Sequence, residues 1–171
     1  MELKRVVVTG LGAVTPLGLN VDETWEALLN GVSGAGPITH FDASQFKTQF
    51  ACEVKNFDPT LYLDKKEVRK FDRYAQFAVA AAKEAVGDSA LDLEKVDKNR
   101  VGVIFAAGIG GIRTFEEEVG GYFTNIERGP KFNPFFIPKM IADIAAGHIS
   151  MIYGFHGPNY ATVSACASST H

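Results

Sequence analysis

The 171-residue chain is 46% apolar and 22% charged, an ordinary globular composition that excludes a disordered or fibrous protein. Seventeen Lys and Arg against 20 Asp and Glu give a formal charge of −3, so no global basic field exists to hold nucleic acid. Two cysteines, Cys52 and Cys166, are too few for a disulfide framework or a Cys-only zinc site. No stretch reaches the roughly eighteen consecutive apolar residues that a membrane span needs.

Met1 to Val8 lacks the apolar core of a signal peptide, which leads us to expect a cytoplasmic protein. The β-branched run from Arg5 to Thr9, closed by Gly10, reads as a buried strand. Asn20 with Glu23 three residues on resembles a capping box, and a helix should follow through Trp25, Leu28 and Leu29 and stop at Gly31. Gly34 to Asp58 is loop-rich, with room for a short hairpin. A second helical region begins near Asp64. After Asp72, which can cap, Tyr74, Phe77, Ala78, Ala81, Ala82 and Val86 recur at helical spacing up to Gly87. Arg100 to Ala106 reads as another buried strand, followed by the glycine turn 108–111 and an acidic helix around Thr114 to Val119. An aromatic loop from Pro130 to Ile137 leads to a helix that Pro138 should open and Gly154 should end. Tyr160 to Ser164 makes a third strand, with Ala165 to Ser169 turning out of it. Strand–helix alternation with buried strands implies an α/β fold with a largely parallel sheet covered on both faces, and three strands leave that sheet incomplete.

Four features can carry chemistry. The turn Thr9 to Gly18 has Gly10 and Gly12 of a dinucleotide fingerprint. Thr15 replaces the third glycine, however, and Pro16 delays the helix whose N-terminus would face a pyrophosphate, so close backbone packing is the simpler reading. Gly108-Ile109-Gly110-Gly111 lacks the Lys and Ser/Thr of a phosphate loop, although it lies where open α/β sheets keep ligands. Cys166 follows a strand and has only small neighbours. A nucleophile on a sharp strand-to-helix turn requires such neighbours, and there its own N–H can meet a developing oxyanion. A helix start would also favour the thiolate. The competing reading is a buried cysteine acting as a small hydrophobe, and that is the expectation for Cys52. None of His40, His148, His156 and His171 is spaced as a base for Cys166, and no metal-ligand spacing occurs. Lastly, Lys65 to Arg73 holds five positive charges, of which Lys66, Arg69, Lys70 and Arg73 would share one helix face. Such a stripe is either solvated or a docking face for an acidic partner.

Three segments in combination resemble the β-ketoacyl-acyl-carrier-protein synthases, the elongating condensing enzymes, with type II synthases of dissociated bacterial systems the nearest group. They are Val6 to Gly18, Asn133 to Pro138 continuing to Ala145-Ala146-Gly147-His148, and Gly157-Pro158 leading to Ser164-Ala165-Cys166-Ala167-Ser168-Ser169. The resemblance runs the length of the chain. It implies a thiolase-like, layered α/β/α fold with a mixed, mostly parallel sheet, of which residues 1–171 form the N-terminal part, usually within a homodimer. It also implies decarboxylative condensation of an acyl group held on Cys166 with malonyl-acyl-carrier protein, extending fatty acids by two carbons. No cofactor or metal is implied, because the phosphopantetheine of the acyl carrier protein bears the substrates.

By the same resemblance Ile109, Phe136 and Ile137 border the acyl pocket, while Lys66, Arg69, Lys70 and Lys131 greet the carrier protein. Family members are much longer, and their two catalytic histidines lie in the second half. The expected partners are therefore acyl carrier protein, a C-terminal segment bearing those histidines and a second copy, with no nucleic acid and no membrane. The chain, ending five residues after Cys166, is expected to be one segment of a longer enzyme and inactive by itself. The alternatives are a noncatalytic partner subunit, which would normally lack Cys166, a glycine-loop nucleotide-binding module and a degradative thiolase.

Overall fold

The computed structural model describes residues 3–129 and 131–170; Met1 and Glu2 of the opening, Pro130 of the aromatic loop and His171 lie outside the described residues. The helices are α1 (Val21–Leu29), α2 (Lys65–Val68), α3 (Arg73–Asp88), α4 (Ile112–Thr124), α5 (Phe136–Met140) and α6 (Ile144–Tyr153). The strands are β1 (Ala35–Pro37), β2 (Phe50–Cys52), β3 (Val103–Ile104) and β4 (Asn159–Tyr160). The residues fall into two compact units. One joins the chain up to Asp58 with Ala80–Leu91, and the other joins Pro59–Val79 with the residues from Asp92 onward.

In the first unit, α1 starts as its sequence dictates: Asn20 Oδ1 accepts the Glu23 N–H at 2.8 Å. Glu23 reaches back to the Leu19 N–H at 2.8 Å, one residue before the cap. Gly31, at φ +64°, turns the chain out of the helix. The strands β1 and β2 form an antiparallel hairpin with Gly36 opposite Ala51. The Gly10–Gly12 turn lies against the C-terminal half of α3. A Cβ on Gly10 would stand 2.3 Å from Ala85 O, and one on Gly12 would stand 1.9 Å from Ala81 O. Two carboxylates of α3 occupy the turn's donors: Asp88 accepts from Leu11 N and Glu84 from Ala13 N, each at 2.9 Å. Glu84 also accepts from Val21 N at 2.8 Å. These are the N–H groups a pyrophosphate would need, so the turn is a packing device and not a nucleotide loop.

The sequence suggested that Arg5 to Thr9 is a buried strand. In the structure it forms no strand and is exposed, with Val6 at 90% and Val8 at 81%. A strand exists only through its ladder partner, and among the described residues none lies beside this run. The expected strands at 100–106 and 160–164 contract for the same reason to β3 and β4. These form a parallel pair with Val103 opposite Asn159 and Ile104 opposite Tyr160. The pair is supported by Val103 N donating to Pro158 O at 2.8 Å and Phe105 N to Tyr160 O at 3.3 Å.

The core of this second unit is small-residue packing. Ala75, Ala78 and Val79 of α3 and Ala145, Ala146 and Ile149 of α6 are buried, together with Phe71 and Phe155. Asn159 ties β4 to α6 by donating to Ala146 O at 2.9 Å. The single helix expected from Pro138 to Gly154 is two helices, and Pro138 is the third residue of α5 rather than the first. Tertiary donors explain the break: Gly111 N takes the carbonyl of Met140 at 2.9 Å, and the Tyr74 hydroxyl takes that of Ile141. Those carbonyls need no continuing helix. Among the described residues no helix is long and apolar enough to cross a membrane.

Candidate active site

Every residue singled out above for catalysis, pocket or docking lies in the second unit. Cys166 sits on a 3₁₀ turn, Ala165–Thr170, and is exposed. The expected helix start is thus a tighter turn within the described residues. Ala165 immediately before it has φ +46°, a left-handed conformation that costs a residue with a side chain about 1–2 kcal/mol. Strain of this kind marks a sharp turn beside the thiol. Ser168 is buried and closes the elbow: its Oγ accepts from Ser164 N at 2.7 Å and donates to Ala165 O at 2.7 Å. Nothing in the sequence pattern singled out Ser168, because its role comes from folding back onto its own turn. Cys52, the other free thiol, lies on β2 and has no comparable elbow.

The glycine turn 108–111 and helix α5 meet directly. Gly110, at φ +86°, would put a Cβ 2.3 Å from Met140 O, and Gly111 would put one 2.5 Å from Lys139 O. Backbone contact this close requires glycine. It brings the turn that carries Ile109 against the helix that carries Phe136 and Ile137. Ile109 and Ile137 are exposed, while Phe136 is half-buried and stacks on Phe132 at 5.4 Å between centroids. The apolar wall is continued by Phe115, 6.2 Å from Phe136.

The basic stripe is not one helix face. The helix α2 ends at Val68 and α3 begins at Arg73, so Lys66 lies on α2 while Arg69 and Lys70 lie in the connecting turn. Lys66 and Arg69 are exposed. Lys70 bonds Glu67 at 2.6 Å and lies 5.9 Å above the Phe135 ring. Arg69 opens onto a cleft of about 340 Å³ together with Arg113 and Lys139. Lys131 and Arg128 line a second cleft of about 420 Å³, and Glu117 borders both.

His148 packs inside the second unit. It stacks on Phe71 with centroids 3.6 Å apart and planes 15° from parallel. Burial pushes its pKa below the usual 6.5, with Glu67 opposing weakly. A group held below its unfolded pKa contributes stability above pH 6.5 that is lost as pH falls through the lower folded value. Thermal midpoints measured from pH 8 to pH 5 should therefore fall on acidification, and His148→Gln should flatten that slope. An unchanged slope in the variant would assign the acid sensitivity elsewhere. Among the described residues no group of three or more His, Cys, Asp or Glu is placed to hold a metal ion.

Comparison with known proteins identifies what this arrangement belongs to. Residues 3–171 match the family model described as β-ketoacyl synthase, N-terminal domain. The chain is 47% identical over its whole length to the 3-oxoacyl-[acyl-carrier-protein] synthase 2 of Coxiella burnetii, and 42% identical to that of Synechocystis. It spans 41% of the length of each of these relatives. Among solved structures, the ishigamide ketosynthase/chain length factor superposes with a TM-score of 0.82 at 25% identity, covering 92% of this chain and 39% of that one. The α/β fold is thus that of the thiolase-like ketosynthases, as the resemblance implied. The chain belongs to the β-ketoacyl synthase family.

Proposed function

We propose that these residues are the acyl-accepting portion of a 3-oxoacyl-[acyl-carrier-protein] synthase acting in fatty-acid elongation, with Cys166 as its nucleophile. The observation that carries this reading is an exposed thiol on a strained, internally clamped elbow, in a chain close in sequence to enzymes of that name. The Cys166 thiolate attacks the thioester carbonyl of an acyl carrier. A carbon–sulfur bond forms, the intermediate collapses, and the phosphopantetheine sulfur leaves and takes up a proton. Malonyl carrier protein then loses carbon dioxide, and the resulting carbanion attacks the acyl-enzyme. The new carbon–carbon bond releases Cys166 as thiolate and the 3-oxoacyl product leaves on its carrier.

The proton transfers belong, in this reading, to a C-terminal segment with two histidines. Support comes from the length of the relatives, of which this chain spans 41%. Ile109, Phe136 and Ile137, joined through the Gly111–Met140 contact, border the acyl chain. Lys66, Arg69, Lys70 and Lys131 receive the acidic carrier protein, with Arg113 and Lys139 adding positive charge beside Arg69. In this reading the enzyme is cytoplasmic and a homodimer, and the exposed Ile112, Phe115 and Phe123 of α4 support the homodimer. No resident cofactor is required, since each substrate brings its own pantetheine arm. Cys166 argues against a noncatalytic partner subunit, and the occupied donors of the Gly10–Gly12 turn argue against a nucleotide module.

The test is a condensation assay on a protein of the relatives' length carrying these residues. With acyl and malonyl carrier proteins it should form the 3-oxoacyl carrier product, and Cys166→Ala should lower that rate on the order of 10³-fold or more. Equal product formation by the variant would remove the proposed role of Cys166.

A further inference from the structure

We propose that Ser168 is a positioning residue whose hydroxyl fixes the Ala165–Cys166 peptide, so that the Cys166 N–H is held ready for the oxyanion of the acyl-transfer step. This rests on the reading of Cys166 as the acyl acceptor. Ser168 is 4% exposed, and its hydroxyl is fully engaged: it accepts from Ser164 N and donates to Ala165 O, both at 2.7 Å. Its own carbonyl accepts from Thr162 Oγ1 at 2.9 Å, which ties the clamp back to the segment leading out of β4.

A trans peptide is planar, and its C=O and N–H point in opposite directions. Fixing the Ala165 carbonyl therefore fixes the direction of the Cys166 N–H. Two nearby donors are already used: Ser164 N by Ser168 Oγ, and Ala167 N by Ser164 O at 3.0 Å. Among the described residues Cys166 N–H has no acceptor. The N–H of the residue that bears the thiol is thus left for an incoming group, in the direction the clamp dictates. As Sγ bonds to the thioester carbon, the carbonyl electron pair moves to oxygen and the Cys166 N–H donates to it. On collapse the pair returns and the pantetheine sulfur leaves. The clamp also resists relaxation of Ala165 from φ +46°, a change that would rotate this peptide.

Ser168→Ala, Ser168→Thr and Thr162→Val are compared in a protein of the relatives' length. Two reactions of Cys166 are followed: acyl transfer from an acyl-carrier thioester, and alkylation by iodoacetamide, which builds no oxyanion. Ser168→Ala should lower kcat for acyl transfer by about 10–100-fold, less than the loss of a whole oxyanion donor, with KM for the carrier unchanged within about two-fold. Alkylation should stay within about three-fold of the parent rate, Ser168→Thr should recover most of kcat, and Thr162→Val should show a smaller loss in kcat alone.

Unchanged acyl transfer in Ser168→Ala on an active parent would overturn the role of Ser168 alone. So would alkylation falling in step with acyl transfer, or a Thr variant no better than Ala. Should Ser168→Ala not fold, unchanged acyl transfer in Thr162→Val overturns the proposal and a kcat-only loss supports it. Absence of Cys166 acylation in the parent would overturn the acyltransferase reading, and this role with it.

Discussion

Gly12→Ala should leave almost no folded protein. The added Cβ would stand 1.9 Å from Ala81 O and 2.8 Å from Ala85 N, and both are backbone atoms of α3 that no side-chain rotation can move. The turn would have to lift away from α3. That would break the bonds from Leu11 N to Asp88 and from Ala13 N to Glu84. The exposed Leu11 N can turn to water, but the part-buried Ala13 N left unpaired costs about 1–3 kcal/mol on top of the backbone clash, a sizeable share of the stability of an ordinary domain. Soluble yield and far-ultraviolet circular dichroism, compared with the parent, measure the outcome. A folded Gly12→Ala protein of parent stability would show that the turn does not lie on α3 as described.

Asp72→Ala should be the most damaging side-chain truncation in the second unit, at about 3 kcal/mol or more, because one buried carboxylate caps two helices. Its Oδ1 accepts from Tyr74 N at 3.2 Å at the start of α3. Its Oδ2 accepts from Thr114 N at 3.2 Å and from Thr114 Oγ1 at 2.6 Å in the first turn of α4. The helix α4 needs this help: its own cap residue is Gly111, which has no side chain to offer. Asp72 is 7% exposed and Thr114 is 4% exposed, so the donors left behind are largely shielded from water. Denaturant midpoints should fall for Asp72→Ala and for Thr114→Val. The double variant should cost clearly less than the two losses added together, since both variants break the same contact. Strict additivity would mean that the two residues act separately.

What the sequence made legible follows from how local each signal is. The Asn20 cap, the glycine that ends α1, the α3 repeat and the Gly154 stop depend on residues within one or two turns, and the structure reproduces them. Strand extents were overread because a β-branched run such as Arg5 to Thr9 states a preference, whereas a strand is made by a neighbour. The break between α5 and α6 was missed because it depends on Gly111 and Tyr74 reaching in from distant sequence. The double cap by Asp72 was half legible: its capping of α3 is local, but its capping of α4 spans 42 residues. For the site, the small residues around Cys166 suggest a sharp turn, and the structure has a 3₁₀ turn there in place of a helix start. The strain falls on Ala165 and the clamp on Ser168, and neither carries a composition signal. The basic residues do not share the single helical face their spacing suggests, because Arg69 and Lys70 lie in the turn between Lys66 on α2 and Arg73 on α3.

The central claim is that Cys166 is a covalent acyl acceptor. Intact-protein mass spectrometry of a protein of the relatives' length, exposed to an acyl-carrier thioester without malonyl carrier, tests it most directly. The account predicts a mass increase of one acyl group, mapped by peptide sequencing to Cys166, stable until malonyl carrier protein is added and absent in Cys166→Ala. A preparation that makes 3-oxoacyl product yet never carries the acyl group, or carries it on Cys52, would contradict the account.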